Sequence, residues 1–381
     1  MKDITTTLFD IGISSNMSNF IGREEETYHL ESNFINGINT VLISPRRWGK
    51  TSLVNHVREA LSDNESLSFV YLDIFACKNE YDFYKALTSA IFKQAGSGIG
   101  KVWNDVQDFF SRITPSLSVG TQGTPEYKLS FDFHQKNMDY ESILSIPEKV
   151  AQKTGRRMII CLDEFQQVGE FPDSEIVQRK LRGVWQLQKY TRYCLFGSRR
   201  HMMMNMFQDV SMPFFQFGDV IHLERIPSQT WVKFICDRFS FGGKHIDASL
   251  AERICSVTEC YSAYVQQLAY FTYMYAPENG DATEEAFSKA VDALILSNEP
   301  QFMQVIEPLT SYQMNFLKAI LCGHVKDYGM ESVRTEFHLG SSSNISRLKQ
   351  TLIGKDVIDS NMRELSIPNP VFRMWLSRRL L

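Results

Sequence analysis

The stretch Ser44-Pro45-Arg46-Arg47-Trp48-Gly49-Lys50-Thr51-Ser52 places two arginines, a lysine, a glycine and hydroxyl side chains directly after the apolar run Val41-Leu42-Ile43. A buried strand that turns here into a helix presents backbone N–H groups and a helix N-terminus to an anion, and the helix dipole adds to the attraction. The spacing matches G-x-x-x-x-G-K-[ST] except at its first position, where Ser44 stands for glycine. In that pattern Gly49 lets the backbone approach a polyphosphate, Lys50 neutralises the β- and γ-phosphates, and the Thr51 hydroxyl joins a Mg²⁺ shell. Ser44 is acceptable if its φ stays negative, because only a positive φ demands glycine. ATP is the expected ligand of the loop from Ser44 to Ser52.

A second stretch supplies the complementary acids. Arg157-Met158-Ile159-Ile160-Cys161-Leu162-Asp163-Glu164 is an apolar strand ending in two adjacent carboxylates. Such a pair can simply be solvated, but behind a phosphate loop it has a specific use. Asp163 would hold Mg²⁺ through water, and Glu164 would polarise the water that attacks the γ-phosphate. The 113 residues from Lys50 to Asp163 leave room for one further strand between the two motifs. That spacing points to the additional-strand P-loop class, whose base is a glutamate on this strand. The next apolar run, Tyr193–Ser198, ends in Gly197-Ser198-Arg199-Arg200. Ser198 is either a γ-phosphate sensor or an ordinary helix N-cap. Arg199 and Arg200 are either stabilisers of developing charge or solvated arginines.

The elements that must hold these residues follow from periodicity. Between about 15 and 225, short apolar runs (Thr40–Ser44, Ser68–Ile74, Arg157–Asp163, Tyr193–Ser198, Asp219–Leu223) alternate with helical patterns such as Lys50–Ser62 and Ser174–Gln188. This is the signature of an α/β parallel sheet covered on both faces. Residues 113–135 alternate in polarity around a Gly/Pro-rich centre and read as an inserted β-hairpin. From 226 the pattern is purely helical, and Leu309-Thr310-Ser311-Tyr312-Gln313 starts another helix. The expected division is a P-loop ATPase core at 1–225, a helical lid at 226–305 and a winged helix at 306–381.

In the last region Ser342–Leu352 reads as a recognition helix. Ser341–Ser343 cap it, Ile345, Leu348 and Leu352 face the core, and Ser346, Arg347, Lys349 and Gln350 are exposed. Val357–Ile367 would form the wing. Thr310–Leu381 carries a formal charge of +4 against −8 for the preceding residues, which marks it as a separate unit. Such a helix could enter a DNA major groove, or the unit could dock a protein.

Composition bounds these readings. With 43% hydrophobic and 12% aromatic residues in 381, the chain can build sizeable cores. A net charge of −4 argues against a nucleic-acid coat. No apolar run reaches the length of a membrane span and the N-terminal residues lack a signal pattern, so a cytoplasmic protein is expected. The seven cysteines include no C-x-x-C pair, and the eight histidines are scattered, so neither a disulfide framework nor a zinc site is indicated.

With these motifs in view the chain resembles the archaeal-type ATPases of the AAA/STAND group. The resemblance rests on a Phe-x-Gly-Arg-Glu box, here Phe20-Ile21-Gly22-Arg23-Glu24, and on a loop reading Pro-Arg-Arg-x-Gly-Lys-Thr, here Pro45–Thr51. It continues through Asp163-Glu164 and Gly197-Ser198. The Gly-x-Pro-Tyr turn of the family is replaced by Tyr261-Ser262-Ala263-Tyr264. The resemblance implies a P-loop core, a helical lid and a C-terminal winged helix, with Phe20, Gly22 and Arg23 near the adenine. It also implies a nucleotide-controlled switch that can oligomerise when nucleotide binds. Two alternatives are a winged-helix DNA-binding regulator tuned by ATP and a protein that holds ATP without hydrolysing it.

Overall fold

β-Branched and aliphatic runs bounded by polar turns form strands when both of their faces can be covered. In the computed structural model, which describes residues 7–12, 19–95, 115–118, 128–131, 140–278, 280–361 and 364–381, five such runs make one parallel sheet. They are β1 (Thr40–Ile43), β2 (Leu67–Asp73), β5 (Arg157–Asp163), β6 (Thr191–Gly197) and β7 (Asp219–His222). Each begins and ends within two residues of its expected position. An antiparallel pair, β3 (Pro115–Ser118) and β4 (Lys128–Phe131), lies where the hairpin was expected, with Pro115 opposite Phe131. The rest of that stretch lies outside the described residues.

The sheet order is β2-β5-β6-β1-β7. β1 is buried at all four residues and lies between β6 and β7, with Ile43 level with Gly197 and His222. On the other side Asp73 is level with Asp163, and Leu162 with Leu195. All five strands therefore end along one edge, so the residues that follow β1, β5 and β6 emerge side by side. This edge is where ligands bind in open α/β sheets.

The helices Lys50–Ala60 and Ser174–Trp185 follow the expected periodicity and bury Leu53, Val54 and Val57, and Val177, Leu181 and Trp185, respectively. Trp185 stacks on Tyr193 of β6 with centroids 4.0 Å apart, at the centre of an aromatic cluster with Phe165, Phe214 and Phe217. This packing clamps β6 beneath the site.

The chain divides into two compact units. Arg23–Arg46 and Lys50–Glu224 form the unit that contains the parallel sheet. Met1–Gly22, Arg47–Gly49 and Arg225–Leu381 form the other. The second unit is helical: Ser228–Phe241, Ala248–Val257, Ser262–Tyr275, Glu284–Ile306, Ser311–Leu321, Glu331–Glu336, Ser342–Gly354 and Pro370–Leu380. Its short ribbon pairs β8 (Asp359–Asn361) with β9 (Glu364–Ser366). Phe9 is buried in this unit against Phe234 and Phe239, and the Asp10 amide donates to Gln266 Oε1 at 2.8 Å.

Thr310 and Gln313 form a reciprocal capping box at the start of Ser311–Leu321. Ser341 caps Ser342–Gly354, which buries Ile345, Leu348 and Leu352 while Ser346, Arg347 and Gln350 face solvent. Lys349 departs from expectation. It is half-buried, with its ammonium 6.0 Å from the centroid of the Tyr328 ring. A lysine stem readily covers apolar surface in this way. No helix of the described residues is long and apolar enough to cross a membrane.

Candidate functional site

Lys50 opens the helix after β1, and that position turns its side chain back beneath the loop. The residue is only 6% exposed, and Nζ donates to the carbonyls of Ser44 and Pro45, each at 3.0 Å. Burial pushes its pKa down to about 8, against the pull of Glu164 and Asp163. A desolvated ammonium of this kind gains from an incoming anion, which favours its charged form. Ser44 keeps a negative φ, as its side chain requires, and its Oγ donates to the Pro45 carbonyl at 3.2 Å.

The conformational demand of the loop falls elsewhere. Gly49 has a φ of 93°, and a Cβ there would meet nothing within 4 Å, so glycine is needed for its backbone angle rather than for space. Arg47 also lies in the left-handed region, with a φ of 69°.

Asp163 closes β5 and gathers donors. Its Oδ2 accepts from Thr51 Oγ1 at 2.9 Å and from the Tyr71 hydroxyl at 2.8 Å, and its Oδ1 accepts from the Glu164 amide at 2.8 Å. Burial raises the pKa of this carboxyl while those three hydrogen bonds act in the opposite direction. Tyr71 comes from β2, the strand paired with β5. Burial, and then the neighbouring Asp163, push its phenol well above the usual range, so it stays a donor.

Glu164 turns off the end of β5 with a φ of 56°. Its Oε2 accepts from Ser198 Oγ at 2.8 Å and from the Gln166 amide. Arg46 Nε in turn donates to Ser198 Oγ at 3.2 Å. Ser198 does not cap the next helix, whose N-cap residue is Arg199. Arg199 is paired with Glu170, and Arg200 is the first residue of that helix. Gly197 makes room for this network, since a Cβ there would lie 1.9 Å from Gln166 Oε1.

Arg47, Trp48 and Gly49 belong to the helical unit. Arg47 donates to the Tyr264 hydroxyl, to Asn298 Oδ1 at 3.3 Å and to Gln301, and its guanidinium lies 4.5 Å from the Tyr264 ring centroid. Trp48 meets Tyr261 edge-on at 5.6 Å, and Arg225 lies over both rings. Phe20 and Gly22 fall in this same unit, and Arg23 in the sheet unit. Gly22 has a φ of 61°, and a Cβ there would press on Ile226 at 2.7 Å. Arg23 is buried and donates to Glu26 at 2.6 Å.

The structure thus brings Lys50, Thr51, Asp163, Glu164, Ser198 and Arg46 together in the sheet unit. Tyr71 and Gln166 join them, and no local pattern singles either out. Tyr71 sits two residues before the end of β2 and Gln166 two residues past the acidic pair, so only knowledge of the strand pairing would have flagged them.

A parallel sheet in this order, with a phosphate-type loop after β1 and an acidic end to β5, defines the P-loop NTPase fold of the additional-strand class. No protein-family profile matches the sequence, and no curated protein is similar to it. Among solved structures, a Walker-type ATPase of Pyrococcus abyssi superposes with a TM-score of 0.69 at 16% identity. That match covers 97% of this chain and all of the other. The ORC2 protein of Aeropyrum pernix, solved as ADPNP–ADP complexes, matches with a TM-score of 0.58 at 16% identity over 98% of both chains. At such identity the likeness establishes the fold.

Proposed function

We propose that this protein binds ATP with Mg²⁺ and hydrolyses it slowly, using the bound nucleotide as a conformational switch. The observation that carries this reading is the convergence, on one edge of the sheet, of a buried lysine, a hydroxyl–carboxylate pair and a hydrogen-bonded glutamate. The resemblance in fold to a Walker-type ATPase and to a protein solved with ADPNP and ADP supports it.

Thr51 and Asp163 would hold Mg²⁺. One hydroxyl and one carboxylate suit an ion that keeps most of its shell as water and phosphate oxygens. The carboxylate's raised pKa, caused by burial, also marks a place where a cation relieves desolvated charge. When bound, the ion neutralises charge on the β- and γ-phosphates. Lys50 would exchange the Ser44 and Pro45 carbonyls for phosphate oxygens, while the N–H groups at the start of Lys50–Ala60 bind others.

Glu164 is the base that orients water and accepts its proton. Its carboxylate is held by Ser198 and Gln166, so it must leave one of them to reach the water, which is the basis for slow turnover without a partner. Ser198 would sense the γ-phosphate, with Arg46 hydrogen-bonded to its hydroxyl. Residues 226–305 would act as a lid, and the helices and ribbon of 306–381 as a winged helix that engages DNA or protein through the exposed face carrying Ser346, Arg347 and Gln350.

The test is ATP turnover and nucleotide binding measured in the same samples of wild type, Glu164→Gln and Lys50→Ala. Glu164→Gln should bind ATP and lose turnover by about 10²–10⁴-fold, and Lys50→Ala should fail to bind. Wild-type turnover equal to that of Glu164→Gln would leave a protein that holds ATP without hydrolysing it. Wild type that binds no nucleotide would refute the reading.

A further inference from the structure

The helix Ala248–Val257 ends in a turn that brings two thiols together. Thr258 is its C-cap, and Glu259 and Cys260 follow in the left-handed region with φ values of 48° and 55°. The Cys260 amide donates to the Cys255 carbonyl at 2.9 Å, and the Glu259 amide to the Ser256 carbonyl at 3.1 Å. These are the two bonds of a Schellman motif, in which the side chains at the positions of Cys255 and Cys260 meet across the turn. The position is ordinarily filled by an apolar pair. Here both members are cysteine, and the Cys255 thiol donates to the Ser228 carbonyl at 3.9 Å.

The two sulfurs differ in environment. Cys255 is 1% exposed, whereas Cys260 is half-buried and reachable from solvent. The neighbouring Cys255 thiol, and then the Arg225 guanidinium, hold the Cys260 thiol below the usual range. The Cys260 thiol, and then burial, push the Cys255 thiol up. An accessible thiol beside a buried partner is the arrangement of an attacking and a resolving cysteine.

The turn leads directly into Tyr261. Its ring meets Trp48, and its hydroxyl donates to the Pro368 carbonyl at 2.7 Å. Glu259 is paired with Arg225, the residue over the rings of Trp48 and Tyr261, and with Arg373. A covalent bond across the turn would draw Cys260 toward the helix and displace Tyr261 from Trp48, two residues before Lys50.

We propose that Cys255 and Cys260 are a peroxide-oxidisable dithiol whose closure to a disulfide weakens ATP binding. In the first step the Cys260 thiolate attacks one oxygen of hydrogen peroxide. An S–O bond forms as the O–O bond breaks, and the departing hydroxide takes a proton and leaves as water. Cys260 is oxidised to a sulfenic acid by the two electrons that the peroxide gains. Cys255 then gives up its proton and attacks the Cys260 sulfur, breaking the S–O bond and releasing a second water. Two thiols and one peroxide yield one disulfide and two waters. The effect on ATP rests on the nucleotide reading above, but the bond itself does not.

The experiment treats the full-length protein with hydrogen peroxide, blocks the remaining thiols and digests with trypsin. Cleavage after Arg253 and Lys289 leaves both cysteines in one peptide that contains no other. The expected peptide is unblocked and lighter by two hydrogens, and dithiothreitol restores both blocking sites. Cys255→Ser should trap a Cys260 sulfenic acid that reacts with dimedone, whereas Cys260→Ser should give no adduct at Cys255. ATP affinity of the oxidised wild type should fall about tenfold, within the range of coupled sites, and recover on reduction, while Cys260→Ser should not respond. Both thiols remaining blockable under conditions that oxidise the exposed Cys322 would overturn the dithiol. A linked peptide with unchanged ATP affinity would overturn its coupling to the site. Failure of the reduced protein to bind ATP would sink the nucleotide reading while leaving the linked peptide as the measure of the bond.

Discussion

Arg47 is the position where the loop's backbone and its side chain ask for different residues. Its φ of 69° is one that a side chain disfavours, by roughly 1–2 kcal/mol relative to the right-handed region. The guanidinium offsets this through Tyr264, Asn298 and Gln301. Replacing Arg47 by alanine or by glycine removes the same contacts, so comparing the two variants isolates the backbone. Glycine ordinarily loses to alanine by about 0.4–1 kcal/mol, because its unfolded chain is freer. At a left-handed position the order should invert, and the difference leaves Arg47→Gly more stable than Arg47→Ala by ~1 kcal/mol. Both should be less stable than wild type, since a partly desolvated cation–π contact contributes about 0.5–2 kcal/mol and each hydrogen bond about 0.5–1.5 kcal/mol. Thermal unfolding followed by circular dichroism reads the comparison, with the glycine variant expected to melt about 2–4 °C higher. Equal melting temperatures, or a higher one for alanine, would mean that Arg47 is not held in the left-handed region.

Three further outcomes follow from the site. Ser198→Ala, which frees Glu164 from its 2.8 Å anchor, should raise kcat by up to about tenfold, since the base no longer has to give up a charge-assisted bond to reach the water. KM should stay unchanged, and a rise in KM at constant kcat would place Ser198 in binding instead. Gly197→Ala, whose Cβ would fall on Gln166, should destabilise the protein by about 1–3 kcal/mol. Gly183→Ala, on an open helix face, should stabilise it by about 0.5–1 kcal/mol, and denaturant midpoints that move together would contradict the packing described. Tyr71→Phe removes a donor from the buried Asp163 and should cost about 1.5–3 kcal/mol of stability near neutral pH, and an unchanged midpoint would show that the carboxylate is already neutral or resolvated.

Much of the architecture was legible because its signals are local. The apolar runs at Val41-Leu42-Ile43 and Arg157–Asp163 carry their own burial, and the caps at Thr310 and Ser341 announce their helices. Ser44 drew attention as the departure from the glycine pattern, yet the backbone places its demand on Arg47. A motif records which residue type usually stands at a position, whereas a dihedral angle depends on the whole loop. Tyr71 and Gln166 were invisible for a different reason. Each reaches its carboxylate through pairing or a turn whose geometry exists only once β2, β5 and β6 are side by side. Lys349 read as exposed from helical period alone, and the nearby Tyr328 ring drew its stem inward. The convergence on one edge of the sheet is a property of strand order, which no single segment encodes.

The helical unit draws on both ends of the chain, and this fixes an order of events during synthesis. Phe9 packs against Phe234 and Phe239, and the Asp10 amide pairs with Gln266. At ribosomal rates of about 5–20 residues per second, those partners emerge on the order of ten seconds or more after Phe9 does. During that interval every strand of the parallel sheet leaves the ribosome, before these partners of Phe9 and Asp10 are made. The sheet unit can therefore fold as the nascent chain grows, and the helical unit can close around Phe9 only after Gln266 has been made.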